Sequence, residues 1–303
     1  MRRARAAAGA AMAALALAGC GTGTTPEAVP STSEAPPFPE GTTMAQIATS
    51  GTVRIGVKTD IPDIGYLPPG SPGGAEPTGF DIEIAKIIAE DLQVAPEGIQ
   101  WVPVGTADRE YVLTSAKVDL VIATYSMTEE RAAVVGQAGP YYITGQQLMV
   151  QDDSDITGLD DVEGRTLCSV AGSESDEVLV EHGAITKAYT SYAACVEALV
   201  DGELDIVSTD GAILAGFVEQ HPDDVQIVGS PFGNQRYGIG FRHGDVQMCH
   251  FLRESLLKAY EDGSWKAAFE STLGKGVVEA PRAPRPDSCT PQTSGSPSSP
   301  AAD

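Results

Sequence analysis

Apolar residues fall into two repeating periods along most of the chain. Val53, Ile55 and Val57 alternate within Thr52 to Val57, which predicts a strand. Phe80, Ile84, Ile87, Ile88 and Leu92 then recur at helical spacing. A helix from Arg109 to Ser115 and a buried strand from Val118 to Ala123 continue the alternation. After an apolar stretch at Leu148 to Val150 the pattern repeats. A strand at Arg165 to Val170 precedes helices at Val178 to Glu181 and Ala193 to Val200, with Gly183 and Gly202 where helix C-caps belong. A strand at Leu204 to Ser208 leads into a helix at Ala212 to Glu219, which Pro222 ends. A strand at Tyr237 to Phe241 and helices at Val246 to Tyr260 and Trp265 to Leu273 complete the pattern. Two α/β units and a returning segment follow from this alternation.

The two ends lack such periodicity. Arg2, Arg3 and Arg5 precede an Ala/Leu run from Ala6 to Ala18 and the sequence Leu17-Ala18-Gly19-Cys20. A charged start, a short apolar run and small residues before a cysteine predict a signal peptide over 1–19, with Cys20 as a lipidated N-terminus. Such an anchor holds a protein on the extracytoplasmic face of the cell membrane. Residues 20–45 and 280–303 are rich in small and polar residues and are expected to be a flexible tether and a flexible tail.

Composition narrows the function. With 303 residues, 42% of them hydrophobic, the chain is long enough for real cores. A formal charge of -23 opposes nucleic acid as a partner. Apart from Cys20, the cysteines are Cys168, Cys195, Cys249 and Cys289, an even number that favours disulfides in an exported protein. His243, Cys249 and His250 match no standard zinc spacing, so neither a metal nor any other cofactor is expected.

Ligands of open α/β sheets bind beyond the carboxyl ends of strands. Four such ends carry polar groups: Lys58; Thr124-Tyr125-Ser126 with Arg131 beyond it; Gly172-Ser173-Glu174-Ser175; and Thr209-Asp210. Arg131 can grip a carboxylate through two N–H groups, backbone amides near Ser126 and Ser173 can add donors, and Asp210 supplies an anion for an ammonium group. Singly, an Arg after a strand reads equally as a surface ion pair and Asp210 as a helix N-cap. Four such ends together read as a site for a free amino acid.

These stretches resemble the extracellular family 3 solute-binding proteins, and within them the actinobacterial glutamate-binding lipoproteins of ABC importers. The resemblance rests on Val53-Arg54-Ile55-Gly56-Val57-Lys58, Gly79-Phe80-Asp81, the run from Asp119 to Arg131, Gly139-Pro140-Tyr141, Leu167-Cys168-Ser169-Val170, Tyr192 through Leu199, Thr209-Asp210 and Tyr237-Gly238-Ile239-Gly240. It implies a two-lobed periplasmic-binding-protein-like fold of type II, a Venus flytrap. Lobe 1 is expected over 46–146 plus 236–279 and lobe 2 over 147–235. Of the three possible disulfide pairings, Cys168 with Cys195 and Cys249 with Cys289 is preferred, because each pair lies within one lobe or ties the tail to one.

The resemblance further implies that Arg131 holds an α-carboxylate with Ser126, that Asp210 and Thr124 meet the α-ammonium, and that Gly172 and Ser173 donate from lobe 2. Lys58 and Arg109 are expected to read the ligand side chain, where two cations suit a γ-carboxylate and leave glutamine disfavoured. One departure stands out: relatives carry Ser or Thr where this chain has Glu174, which would repel an α-carboxylate if it faced the cleft, and Ser175 could take over. The implied function is capture of an amino acid, L-glutamate in particular, by a monomer that delivers it to an ABC permease. Two alternatives share the fold: a lipoprotein that senses acidic or amide amino acids for a membrane signalling partner, and a dehydratase-like enzyme. Against catalysis, none of His182, His221, His243 and His250 stands at the four strand ends, and Ser173 lacks the glycine of a nucleophile elbow.

Overall fold

The computed structural model describes residues 38–275, except 174, and residues 280–289. The signal peptide, Cys20, most of the tether, Glu174 and the end of the tail therefore lie outside the described residues.

The folded chain begins earlier than its composition suggests. Helix α1 (Thr43–Ser50) is capped by Thr42, whose side chain accepts the Ala45 N–H, and it buries Met44 and Ile47. Phe38 packs edge-on against Phe251 at 5.5 Å between ring centroids. Residues 38–45 thus belong to a core and not to the tether, because three apolar side chains among polar neighbours are enough to anchor one capped turn.

Strand β1 (Val53–Val57) runs into a small hairpin of β2 (Asp60–Ile61) and β3 (Gly65–Tyr66), then helix α2 (Phe80–Asp91). Strand β4 (Ile99–Pro103), helix α3 (Arg109–Thr114), strand β5 (Leu120–Val121) and the single turn α4 (Glu129–Ala132) complete the first α/β unit. Strand β6 (Gly136–Gln151) leads out of it. The second unit holds β7 (Thr166–Val170), α5 (Glu177–Glu181), β8 (Ile185–Tyr189), α6 (Tyr192–Val200), β9 (Val207–Asp210) and α7 (Gly211–Gln220). Strand β10 (Val225–Phe241) returns the chain to the first unit, which α8 (Val246–Asp262) and α9 (Ser264–Ser271) finish.

The main sheet has the order β4-β1-β5-β10-β6-β9. Strands β4 and β5 flank β1 in parallel, while β10 runs antiparallel to both β5 and β6. Strands β6 and β10 pair from Gly136–Phe241 to Gln151–Val225 and are the two crossings between lobes. In the second lobe β7 and β8 are parallel, and a bridge from Leu167 to Ile206 joins them to the chain entering β9. The result is a two-lobed α/β fold whose first lobe draws on both ends of the chain. Its apolar cluster joins Met44, Ile55, Phe80 and Ile88 to Tyr237, Leu252, Leu256, Trp265 and Phe269.

Two disulfides close, Cys168–Cys195 and Cys249–Cys289, with Cα separations of 5.8 and 5.9 Å, inside the usual range for such bridges. The second ties the start of the tail to the first lobe, as the preferred pairing implied. The Asp287 N–H donates to the Gly139 carbonyl at 2.6 Å, Arg236 pairs with Asp287 at 2.8 Å, and Ala280 and Ala283 pack on the first-lobe core. Residues 280–289 are a strap on the first lobe. Among the described residues no helix is long and apolar enough to cross a membrane.

Candidate functional site

A small polar cavity lies where the lobes meet. Thr106, Arg109, Thr124, Ser126 and Arg131 line it from the first lobe, and Ser173, Ser175, Tyr192, Thr209, Asp210 and Ile213 from the second, with Gln235 on a crossing strand. Most of the site residues read from the sequence therefore converge on one space. Thr124 and Ser126 come after β5, Ser173 comes after β7, Thr209 and Asp210 end β9, and Arg109 and Arg131 stand on α3 and α4.

The first-lobe wall is cationic. The aromatic face of Tyr125 supports both guanidinium groups, Arg109 at 4.8 Å and Arg131 at 5.1 Å from the ring centroid, an arrangement that favours cations on a π face. The Tyr125 hydroxyl donates to Glu110 at 2.6 Å, and Glu110 lies 3.4 Å from Arg131 Nε. Burial first, and then Glu110, hold the Tyr125 phenol well above its ordinary value. Thr128 caps α4 by accepting the Arg131 N–H at 3.2 Å, which fixes where the Arg131 side chain starts. That side chain donates to the Ser126 carbonyl at 2.8 Å and to the Gly172 carbonyl at 3.0 Å.

Arg109 is committed to the backbone. It donates to the carbonyls of Thr106, Ala123, Thr124 and Gly172 at 2.9 to 3.2 Å. A guanidinium has five N–H donors, so Arg109 offers the cavity its charge more than its hydrogen bonds. Burial, and then Arg131 nearby, lower its pKa. Gly172 does not line the cavity with a side chain; its carbonyl instead joins the second lobe to both arginines.

Thr124 holds a left-handed backbone conformation, φ 45°, which costs a non-glycine residue about 1 to 2 kcal/mol. Two contacts hold it there. Arg109 grips its carbonyl, and its N–H donates to Asp81 Oδ2 at 2.7 Å. Asp81 sits in the first turn of α2, has no solvent exposure and also accepts the Tyr141 hydroxyl at 2.6 Å. Desolvation is the dominant influence on Asp81 and raises its carboxyl to about 6, against the lowering effect of its two donors and of Arg109.

Lys58 stands apart from the expectation of direct ligand contact. It is 2% exposed but does not line the cavity; its Nζ lies 3.2 Å from Asp60 and donates to Thr106 Oγ1 at 3.3 Å. Burial lowers its pKa and Asp60 opposes that. Thr106 occupies the wall in its place. A buried ammonium requires a partner, and the acid two residues away in sequence supplies one.

The second-lobe wall is a network of hydroxyls. The Ser173, Tyr192 and Ser175 hydroxyls lie within hydrogen-bond distance of one another, Ser173–Tyr192 at 2.6 Å, Ser173–Ser175 at 3.0 Å and Tyr192–Ser175 at 3.1 Å, and Ser175 lies 3.3 Å from Thr209 Oγ1. Asp210 occupies the N-cap position of α7, yet its side chain makes no capping bond. It accepts the Tyr237 hydroxyl at 2.6 Å instead. A carboxylate turned away from its own helix and towards a shared cavity suits an ammonium better than it suits a cap. Cys249, part of the histidine–cysteine cluster weighed as a metal site, is in a disulfide and has no thiolate to offer.

Sequence reasoning did not single out Thr106, Tyr192 or Gln235, and it held Ser175 only in reserve. Thr106 was legible only as the residue three before Arg109. Gln235 lies in a polar part of β10 that carries no strand alternation.

Comparison with known proteins identifies the family. Residues 53–275 fit the model of the bacterial extracellular solute-binding proteins, family 3. The glutamate-binding protein GluB of Corynebacterium glutamicum is 34% identical over 76% of this chain and 81% of its own length. The glutamine-binding protein GlnH of Bacillus subtilis, described as part of an ABC transporter, is 30% identical over 82% and 91%. The solved solute receptor for L-cysteine of Neisseria gonorrhoeae superposes with a TM-score of 0.71 at 26% identity, covering 78% of this chain and 96% of that one. These relatives are binding proteins and not enzymes. With the fold, the cleft and the match over 53–275 in agreement, this chain belongs to the family 3 extracellular solute-binding proteins and is an amino-acid-binding member of it.

Proposed function

We infer that this protein is the lipid-anchored binding component of an ABC importer, that it captures L-glutamate between its lobes, and that Cys20 is its point of lipidation. The observation that carries the ligand assignment is the charge of the cavity wall: two guanidinium groups, Arg109 and Arg131, and one carboxylate, Asp210. An acidic amino acid presents the inverse set, two carboxylates and one ammonium. Arg131 with Ser126 would take the α-carboxylate, and Asp210 with Thr124 the ammonium. The field of Arg109, with Thr106 backed by Lys58, favours a second carboxylate over a neutral amide. The name of the C. glutamicum relative is consistent with this reading.

The lobes of this reading are 46–146 plus 236–279 and 147–235, with the packed segments 38–45 and 280–289 added to the first. Binding shifts the population towards a closed form that the permease recognises. Calorimetric titration against glutamate, aspartate, glutamine, asparagine, arginine and histidine tests the assignment. Glutamate should bind tightest; a preference for glutamine or for a basic amino acid would overturn the roles given to Arg109 and Lys58 and leave the fold untouched.

A further inference from the structure

Tyr125 and Glu110 do not line the cavity, yet both meet the guanidinium of Arg131, which does. Acceptors from three segments surround that group: the Ser126 carbonyl at 2.8 Å, the Gly172 carbonyl at 3.0 Å, and Glu110 Oε1 at 3.4 Å from Nε. The first two are backbone atoms held by the fold, and the third belongs to a side chain. A guanidinium grips a carboxylate through two parallel N–H groups only when its plane is held at the right angle. The contact at Nε bears directly on that angle.

Glu110 is poorly placed to hold the plane without help. It stands in the first turn of α3, and its side chain is 31% exposed, so water competes for it. The Tyr125 hydroxyl donates to the same Oε1 at 2.6 Å and restricts it. The ring that carries this hydroxyl is itself closely packed. Tyr125 has no solvent exposure, and a Cβ at Gly240 would stand 3.0 and 3.1 Å from two of its ring carbons and 2.9 Å from Leu113 Cδ1. Gly240 does not hold a left-handed conformation; the ring takes the space that a side chain there would fill. Arg109 lies over the same ring and repels Arg131. A fixed carboxylate beside Nε offsets that repulsion.

We propose that Tyr125 and Glu110 are positioning residues, the Tyr125 hydroxyl orienting Glu110 and Glu110 orienting Arg131, so that affinity for an amino acid depends on a hydroxyl that never touches it. The inference rests on the proposed grip of Arg131 on the α-carboxylate and not on the side chain of the ligand. Every α-amino acid presents that carboxylate. The pair therefore sets affinity and leaves the preference between amino acids unchanged.

Tyr125→Phe isolates the hydroxyl, because it keeps the ring under both guanidinium groups. Calorimetric titration with L-glutamate and with L-glutamine measures its effect in three backgrounds: wild type, Glu110→Ala and Arg131→Lys, each verified as folded by circular dichroism. Lysine keeps the charge at position 131 but has no planar fork to orient. In the wild-type background Tyr125→Phe should weaken both ligands by the same factor, about fivefold, as expected for residues coupled in one network. In the Glu110→Ala and Arg131→Lys backgrounds it should cause no further loss, whereas a purely structural role would cost the same factor in all three. Wild-type affinity in Tyr125→Phe, a loss confined to one ligand, or an undiminished loss in either background would overturn the proposal. Each loss is a ratio between two proteins on one ligand, so a wild type that prefers L-glutamine overturns the glutamate assignment and leaves these expected ratios in force.

Discussion

Asp81 offers a test of how the buried polar centre of the first lobe is built. Its carboxylate has no exposure and serves two donors, the Thr124 N–H and the Tyr141 hydroxyl. Burial raises its pKa from an ordinary 3.8 to about 6. The folded form therefore binds the proton more tightly than the unfolded form does. Stability from this group is fully present below pH about 3.8 and is lost as pH rises through about 6, and the difference amounts to about 3 kcal/mol over the whole range. The side chain introduced by Asp81→Asn is neutral at every pH. Its amide oxygen can accept the Thr124 N–H and its amide nitrogen can donate to the Tyr141 oxygen, because a phenol both accepts and donates.

Urea unfolding at pH 4, 5, 6 and 7, with disulfides intact, measures the consequence. The stability of Asp81→Asn relative to wild type should climb by about 2.5 kcal/mol between pH 4 and pH 7, most of the full difference. Asp81→Ala is the contrast: it leaves both donors without an acceptor and should lose about 1 to 3 kcal/mol for each at all four pH values. Parallel pH profiles for wild type and Asp81→Asn would refute the reasoning, since they would mean that burial does not perturb the carboxyl.

Other contacts give equally definite expectations. Tyr237→Phe removes the 2.6 Å bond to Asp210 and should lower stability by about 1.5 to 3 kcal/mol in denaturant unfolding. It should also weaken amino-acid binding by about tenfold, or about 1.4 kcal/mol, as Asp210 loses its fixed orientation; unchanged affinity would show that Asp210 needs no such support. Replacing Cys249 and Cys289 together by Ser opens a loop spanning 40 positions, a loss of about 4 kcal/mol in the chain-entropy model. Affinity should stay near wild type there, because none of the bridge's residues lines the cavity. Replacing Cys168 and Cys195 should cost about 3.5 kcal/mol and also weaken binding, because Cys195 lies on α6 with Tyr192, a wall residue. Titration of both double variants separates the two cases.

Where the sequence was legible, and where it was not, has physical causes. Strands β1 and β7 and helices α2, α6, α7 and α8 show through because each buries one face and so carries a clean period. Strand β8 does not, since Ile185 to Lys187 are exposed at a sheet edge and no alternation marks them. The middle of β6 is hidden for a related reason: Thr144 to Gln147 form a polar run where the strand crosses between lobes. In the site, Arg131 and Asp210 were readable as charged residues just after strands. Tyr192 was not, and Ser175 was readable only as a substitute for Glu174, because the contacts of both hydroxyls arise only when the folded second lobe brings them within hydrogen-bond distance. Lys58 followed the same strand-end rule and still ended behind Thr106, because Asp60 captures its ammonium group.

The central claim is that the cavity between the lobes holds an amino acid by its two charged ends. Titrating Arg131→Ala and Asp210→Ala with the amino acid that wild type binds tightest tests it most directly, with circular dichroism to verify folding. Each truncation removes a charged, hydrogen-bonding partner, an interaction whose loss costs about 2 to 5 kcal/mol, and so each should reduce affinity by about 30-fold or more. A folded Arg131→Ala or Asp210→Ala protein that binds as wild type does would contradict the account.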